Sequence, residues 1–238
     1  KLVQATDWTW NGDMPLSAKY QGKELTLQVT ARFNNGETAY AESAFIVRPE
    51  QVKVSLGADW NNLLGTSTHV APVCPPLEAP LQLAWTKNVG ANIYMTSPLV
   101  HNGKVYIASV DENLKGEGHV YALAGEDGEI LWSYPVRNSI KNTIAIDKGV
   151  VFAQDAQGWL YAIGLGAYEA RTGKQLWKNE DWGQGEGTTT TLTQGNGLLI
   201  GSAQWRALYG NDAKTGKKLW EASDNGLRNR GSSVAMHG

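Results

Sequence analysis

The chain has 238 residues, 42% of them hydrophobic, with 21 basic against 23 acidic side chains and a net charge of −2. That composition can fill one large or two modest cores, and no run of Lys or Arg is present to grip a phosphate backbone, so nucleic acid is not an expected partner. No stretch approaches the roughly 20 apolar residues of a membrane helix. The opening Lys1-Leu-Val-Gln-Ala-Thr-Asp has no apolar core of a signal peptide, so any export address is expected outside this sequence.

From the N-terminus, Leu25-Thr-Leu-Gln-Val-Thr-Ala-Arg-Phe33 alternates with period two, Asn34-Asn-Gly-Glu supplies a turn, and Thr38 to Val47 continues as a second strand. This hairpin resembles the last two strands of an immunoglobulin-like sandwich, with Trp8 and Trp10 on a preceding strand. Such sandwiches use about seven strands in ~100 residues. Three or four fit into residues 1–50, so the chain is expected to begin inside that domain.

Residues 51–84 read as a linker and lead-in. Pro72 to Pro80 holds four prolines, which favours extended chain, and Cys74 stands alone within it as an apolar filler with no intrachain disulfide partner. Ahead of it lies Asp59-Trp-Asn-Asn-Leu-Leu-Gly65.

Repeats occupy residues 85–238. Trp132, Trp177 and Trp220, spaced by 45 and 43 residues, each end the same phrase: a glycine four positions earlier (Gly128, Gly173, Gly216) and a leucine immediately before. Trp85 precedes Trp132 by 47 residues. A second register, strand-turn-strand at Gly103, Gly149 and Gly197, repeats with spacings of 46 and 48, and a further copy starts at Gly231 and stops at its turn at Gly238. A period of about 40–45 residues made of short strands indicates propeller blades. The expected fold is all-β: three four-stranded blades and the start of a fourth, behind the small immunoglobulin-like segment. Since propellers close with roughly four to eight blades, the chain is expected to be part of something longer. The turn glycines are expected at positive φ, and Trp132, Trp177 and Trp220 are expected to dock one blade on the next rather than to stack on a ligand.

The phrase Tyr-Ala-Leu-Asp-x-x-Thr-Gly-x-x-Leu-Trp resembles the tryptophan-docking signature of pyrroloquinoline-quinone (PQQ) type propellers, and Trp60-x-x-x-x-Gly65 resembles their lead-in. Departures are Ala124 where Asp is usual, Gly210 for Ala, and an insertion of five residues in the second blade. In the enzymes of this resemblance the central channel holds PQQ, Ca²⁺, an acidic base and often a disulfide between adjacent cysteines. The lone Cys74 rules out that disulfide. Asp111, Asp155 and Asp181 are candidate acids in turns, where a carboxylate is ordinarily solvated, and no calcium-loop pattern is present. His69, His101, His119 and His237 share no metal-ligand spacing and read as surface or turn residues. Gly183-Gln-Gly-Glu-Gly187 leads into a threonine strand rather than a helix, so it is no phosphate cradle. No catalytic, cofactor or metal residue is therefore assigned.

Polar groups do recur on the connections leading to the innermost strands: Asn92 and Tyr94, Arg137 and Lys141, Glu186, then Arg228, Asn229 and Arg230. Gathered at a channel mouth, these could contact a peptide or a small ligand. The functional expectation is a non-catalytic binding or scaffold propeller of an exported multidomain protein. Its domain order is similar to that of exported calcineurin-like metallophosphoesterases, whose metal ligands would lie upstream of Lys1. The alternatives are part of a PQQ-dependent dehydrogenase, and an outer-membrane assembly or adhesion propeller that binds peptide strands.

Overall fold

The computed structural model describes residues 2–4, 10–12, 14–47, 54, 56–74, 76, 77, 79, 81, 83–110, 118–156, 160–164, 173–179, 191–203, 207–223 and 233–237, and all structural statements concern these. They are all-β apart from one 3-10 turn at Ala18–Tyr20. At the N-terminus β1 (Val3–Gln4) pairs with β2 (Trp10–Asn11), and β3 (Glu24–Arg32) forms an antiparallel hairpin with β4 (Thr38–Ile46). The period-two alternation sorts the hairpin's faces: Leu25 pairs with Phe45 and Val29 with Ala41 on one side, Gln28 with Glu42 and Thr30 with Tyr40 on the other. Trp8 lies outside the described residues.

The repeats fold as three antiparallel four-stranded meanders, the blades of a partial propeller. The first is β5 (Leu99–His101), β6 (Lys104–Ala108), β7 (Gly118–Ala124) and β8 (Ile130–Val136). Its successors are β9 (Ala145–Asp147), β10 (Val150–Gln154), β11 (Leu160–Gly164) and β12 (Lys174–Asn179), then β13 (Thr193–Gly195), β14 (Leu198–Ala203), β15 (Ala207–Asp212) and β16 (Lys218–Ser223). Each innermost strand turns into the second over two residues of positive φ: Asn102 and Gly103 at 49° and 72°, Lys148 and Gly149 at 44° and 78°, Asn196 and Gly197 at 50° and 78°. Two left-handed residues in succession make the type I′ turn whose twist matches the strands it joins.

The outermost strand carries the tryptophan, and its register explains the phrase. A small residue of the third strand faces each ring position, Ala122 opposite Trp132, Ala162 opposite Trp177 and Gly210 opposite Trp220, and a bulge follows at once. Room is thus made for the indole to lie toward the following blade. Trp177 donates its Nε1–H to the Ala213 carbonyl at 3.2 Å, and a Cβ at Gly216 would fall 2.5 Å from its ring. Trp132 is buried among residues of both the first and second blades, including Val136, Ile144, Ile146, Tyr161 and Ile163.

One expectation is corrected in detail. Gly128 and Gly216 have φ of 73° and 74°, but Gly173 lies outside the left-handed region; its glycine is required because a Cβ would fall 2.4 Å from Ile163 and 3.1 Å from the Trp132 ring. Trp220, which has no following blade among the described residues to dock on, is 40% exposed. Its ring folds back over Gly210, where a Cβ would fall 2.1 Å from Cε2, so the Ala-to-Gly departure in that blade is what admits it.

Candidate functional site

The innermost strands β5, β9 and β13 each present one edge without a neighbouring strand of their own sheet. Unpaired edge N–H and C=O groups need partners. On one end the lead-in supplies them. Trp60 exchanges backbone bonds with Val100 at 2.7 and 3.1 Å, Ile146 N–H donates to the Asn61 carbonyl at 2.8 Å, and Gln194 N–H donates to Asn62 Oδ1 at 2.9 Å. Val100, Ile146 and Gln194 are equivalent positions, each three residues before a turn glycine. Met236 N–H then donates to the Ser67 carbonyl at 2.8 Å, which places residues 233–237 beside the same strap. Residues 59–69 therefore run across three successive blades and bond each at the same register.

The strap is fixed at its start by hydrogen bonds. Asp59 Oδ2 lies 2.7 Å from His101 Nδ1, its Oδ1 accepts the Asn102 N–H at 3.0 Å, and Asn61 Oδ1 lies 3.1 Å from the same His101 nitrogen. Facing two acceptors, Nδ1 must carry the proton. Burial, reinforced by the Asp59 carboxylate, pushes the Tyr106 hydroxyl up to about 12. Farther along, Leu64 and Gly65 make a tight turn at φ of 59° and 107°, closed by Gly65 N–H on the Asn62 carbonyl at 3.0 Å.

At the opposite end, the connections between blades are tied to each other. Val110 N–H donates to the Asn92 carbonyl at 2.9 Å, Ile140 N–H to the Ser109 carbonyl at 3.0 Å and Ala156 N–H to the Ser139 carbonyl at 2.7 Å. Within the second blade Asn142 Nδ2 donates to the Gln154 carbonyl at 3.1 Å, and between blades Gln154 Nε2 donates to the Ser202 carbonyl at 3.0 Å. Asp155 is fully buried, not solvated as its position in a turn suggests: it accepts a bond from Tyr161 Oη at 3.1 Å, and that oxygen accepts the Arg137 N–H at 3.2 Å. Burial first, then the Asp155 charge, pushes the Tyr161 hydroxyl above its ordinary range.

Of the channel-mouth candidates, Asn92 is half-buried and bridged to Val110, Tyr94 is 57% exposed, Arg137 is exposed and Lys141 is half-buried. They stand on two successive connections at one end. Glu186, Arg228, Asn229 and Arg230 lie outside the described residues, as do Asp111, Asp181 and the Gly183–Gly187 loop. Two histidines depart from the surface reading: His119 lies within β7 beside Tyr121, and His101 is tied to Asp59. The strap and the buried Asp155–Tyr161 pair are the features that sequence reading missed. Trp60 and Gly65 signalled a lead-in, but nothing in its local pattern gave its path.

A calcium–quinone site would need several converging oxygen donors. Among the described residues no three His, Cys, Asp or Glu side chains gather to hold a metal, Asp155 is engaged by Tyr161, and Cys74 is exposed and single. These residues do not fit that group.

The sequence profile of the family described as outer membrane protein assembly factor BamB matches residues 80–236. The chain belongs to this PQQ-type repeat family. No curated protein sequence matches it. Among solved structures it is similar to the quinohemoprotein alcohol dehydrogenase of Comamonas testosteroni, with a TM-score of 0.55 and 21% identity over 69% of this chain and 27% of that one. Quinohemoprotein alcohol dehydrogenase ADHIIG from Pseudomonas putida HK5 gives 0.54 and 20%, over 69% and 26%. The computationally designed Ika4 protein gives 0.50 and 13%, over 66% and 88%. At these identities the likeness establishes the propeller fold alone. The chain spans about a quarter of the length of the two dehydrogenases. No helix among the described residues is long and apolar enough to cross a membrane.

Proposed function

We propose that this PQQ-type propeller region is a non-catalytic binding or scaffold part of a larger exported protein, and that it meets a protein or peptide on the connections carrying Asn92, Tyr94, Arg137 and Lys141. The observation that carries the reading is the strap: one end of the innermost strands is bonded by the chain's own residues 60–62, which leaves the opposite end for a partner. Membership of a family described as an outer membrane assembly factor supports a protein partner. We further propose that residues 1–50 belong to an immunoglobulin-like module, residues 51–84 are linker and lead-in, and residues 85–238 are blades. The association with a metallophosphoesterase rests on that domain order.

The test has two arms. Synthetic strand-forming peptides should bind the chain, and Tyr94→Ala with Arg137→Glu should weaken binding by at least about tenfold, the loss of one good anchor. Adding PQQ and Ca²⁺ should give neither quinone absorbance in the bound state nor dye-linked alcohol oxidation. Turnover in the second arm overturns the proposal in favour of a dehydrogenase. Unchanged peptide binding by the double variant moves the surface elsewhere.

A further inference from the structure

Two turns of the repeat carry the same Asn-Gly step, Asn102-Gly103 in the first blade and Asn196-Gly197 in the third. Their backbones agree closely, with φ of 49° and 72° in one and 50° and 78° in the other. All four residues are exposed, and nothing lies within 4 Å of the Cβ position of either glycine. A glycine after asparagine has an unhindered backbone nitrogen, which can attack the asparagine side-chain carbonyl carbon and expel ammonia. The two turns differ in what precedes them. Gly195 brings no side chain to Asn196, whereas His101 places Nε2 3.0 Å from Asn102 Nδ2, the nitrogen that would leave. The other side of the imidazole is held, because Nδ1 donates between Asp59 Oδ2 at 2.7 Å and Asn61 Oδ1 at 3.1 Å. Nε2 is therefore the nitrogen that takes up any further proton from solvent.

We propose that Asn102 is a self-modification site, at which His101 speeds the loss of the side-chain amide as ammonia and the product releases the start of the strap. The Gly103 nitrogen bonds to Asn102 Cγ and gives its proton to water, while the carbonyl oxygen takes up the electron pair of the C=O bond. Nδ2 is now an amine with a lone pair, and it takes the proton that His101 carries on Nε2. As C=O re-forms, the Cγ–Nδ2 bond breaks with its pair going to nitrogen, and ammonia leaves. His101 recovers its proton from solvent. Water then opens the succinimide at one carbonyl or the other, giving aspartate or isoaspartate. Proton delivery to a poor leaving group is general acid catalysis, and the two nitrogens stand within its reach. The Asp59 carboxylate balances the charge of the ring while it holds both protons. Both products act on the strap, since Asp59 Oδ1 accepts the Asn102 N–H at 3.0 Å. Isoaspartate lengthens the main chain of a two-residue turn, and aspartate sets a second carboxylate near that of Asp59.

The test incubates the whole chain in neutral buffer and maps the conversion of amide to acid at both turns by peptide mass. Asn102 should convert at least about fivefold faster than Asn196, and His101→Gln should bring the two rates together. Loosening of the turn by that substitution would speed the reaction, so a fall has only the lost acid to explain it. Equal rates in the unaltered chain overturn the proposal, and so does an undiminished rate at Asn102 in the variant. In converted chains, exchange at the Trp60 and Val100 amides, which bond each other's carbonyls, should rise by at least about threefold. Unchanged exchange there overturns the release of the strap.

Discussion

The ring of Trp85 occupies the space that a side chain at Gly128 would need: a Cβ there would fall 2.5 Å from Cε3. Gly128 has φ of 73°, so two penalties combine on substitution. Gly149, at 78° with nothing within 4 Å of its Cβ position, isolates the backbone term. Gly149→Ala should cost about 1 kcal/mol, and Gly128→Ala about 2–4 kcal/mol because overpacking adds to strain. Urea midpoints of the two variants check this. Equal costs would mean that Trp85 moves aside freely and docks nothing.

Asn62 is 3% exposed and joins residues far apart in sequence, its side-chain oxygen taking the Gln194 N–H and its carbonyl taking that of Gly65. Asn62→Ala orphans a buried N–H, at a cost of about 1–3 kcal/mol. Amide exchange should accelerate at Gln194 before it does at Val151 or Leu199 in the sheet interiors. If Gln194 exchange is unchanged, the strap does not hold the third blade.

The blades were legible because their signals are local. Glycine at a two-residue turn and tryptophan after Thr-Gly or Asp-Gly obey short-range sterics, so three copies in register identify the propeller. Asp155 was misread for the opposite reason: five residues before Leu160, it stands in a turn by sequence, and its burial comes from Tyr161 and the Arg137 N–H brought in by the fold. The strap was hidden likewise, since Asn62 meets Gln194 across 132 residues and no local pattern announces such a pairing.

Gly210→Ala puts the residue of the other two blades opposite Trp220. A Cβ would meet the ring at 2.1 Å, so the indole must swing out. Because Trp220 is already 40% exposed, little packing is lost, and the change should cost less than about 1 kcal/mol. A loss as large as that of Gly128→Ala would show that the folded-back ring is a true part of the core.

Alkali should expose the strap's neighbourhood. Tyr106 is held up to about 12 from 10.0 by burial and by the Asp59 charge. A folded-state value above the unfolded one means that the stability is fully present below pH 10 and is lost as pH rises toward 12, because the unfolded chain releases the proton first. Tyr106→Phe should flatten that part of the stability–pH curve. An unchanged slope between pH 10 and 12 would assign the loss to other groups, with Tyr161, also raised, the next to replace.

Lys148 stands where the first and third blades have Asn102 and Asn196, all three at positive φ and all three exposed. Asn tolerates the left-handed region better than Lys does, since its short amide bonds locally to the backbone. Lys148→Asn should therefore raise stability by about 0.5–1 kcal/mol, through relief of backbone strain in the turn alone. The urea midpoint should rise while its slope stays constant. A fall would mean that the lysine side chain stabilises the turn by more than its backbone cost, and the three turns would then not be interchangeable parts of one repeat.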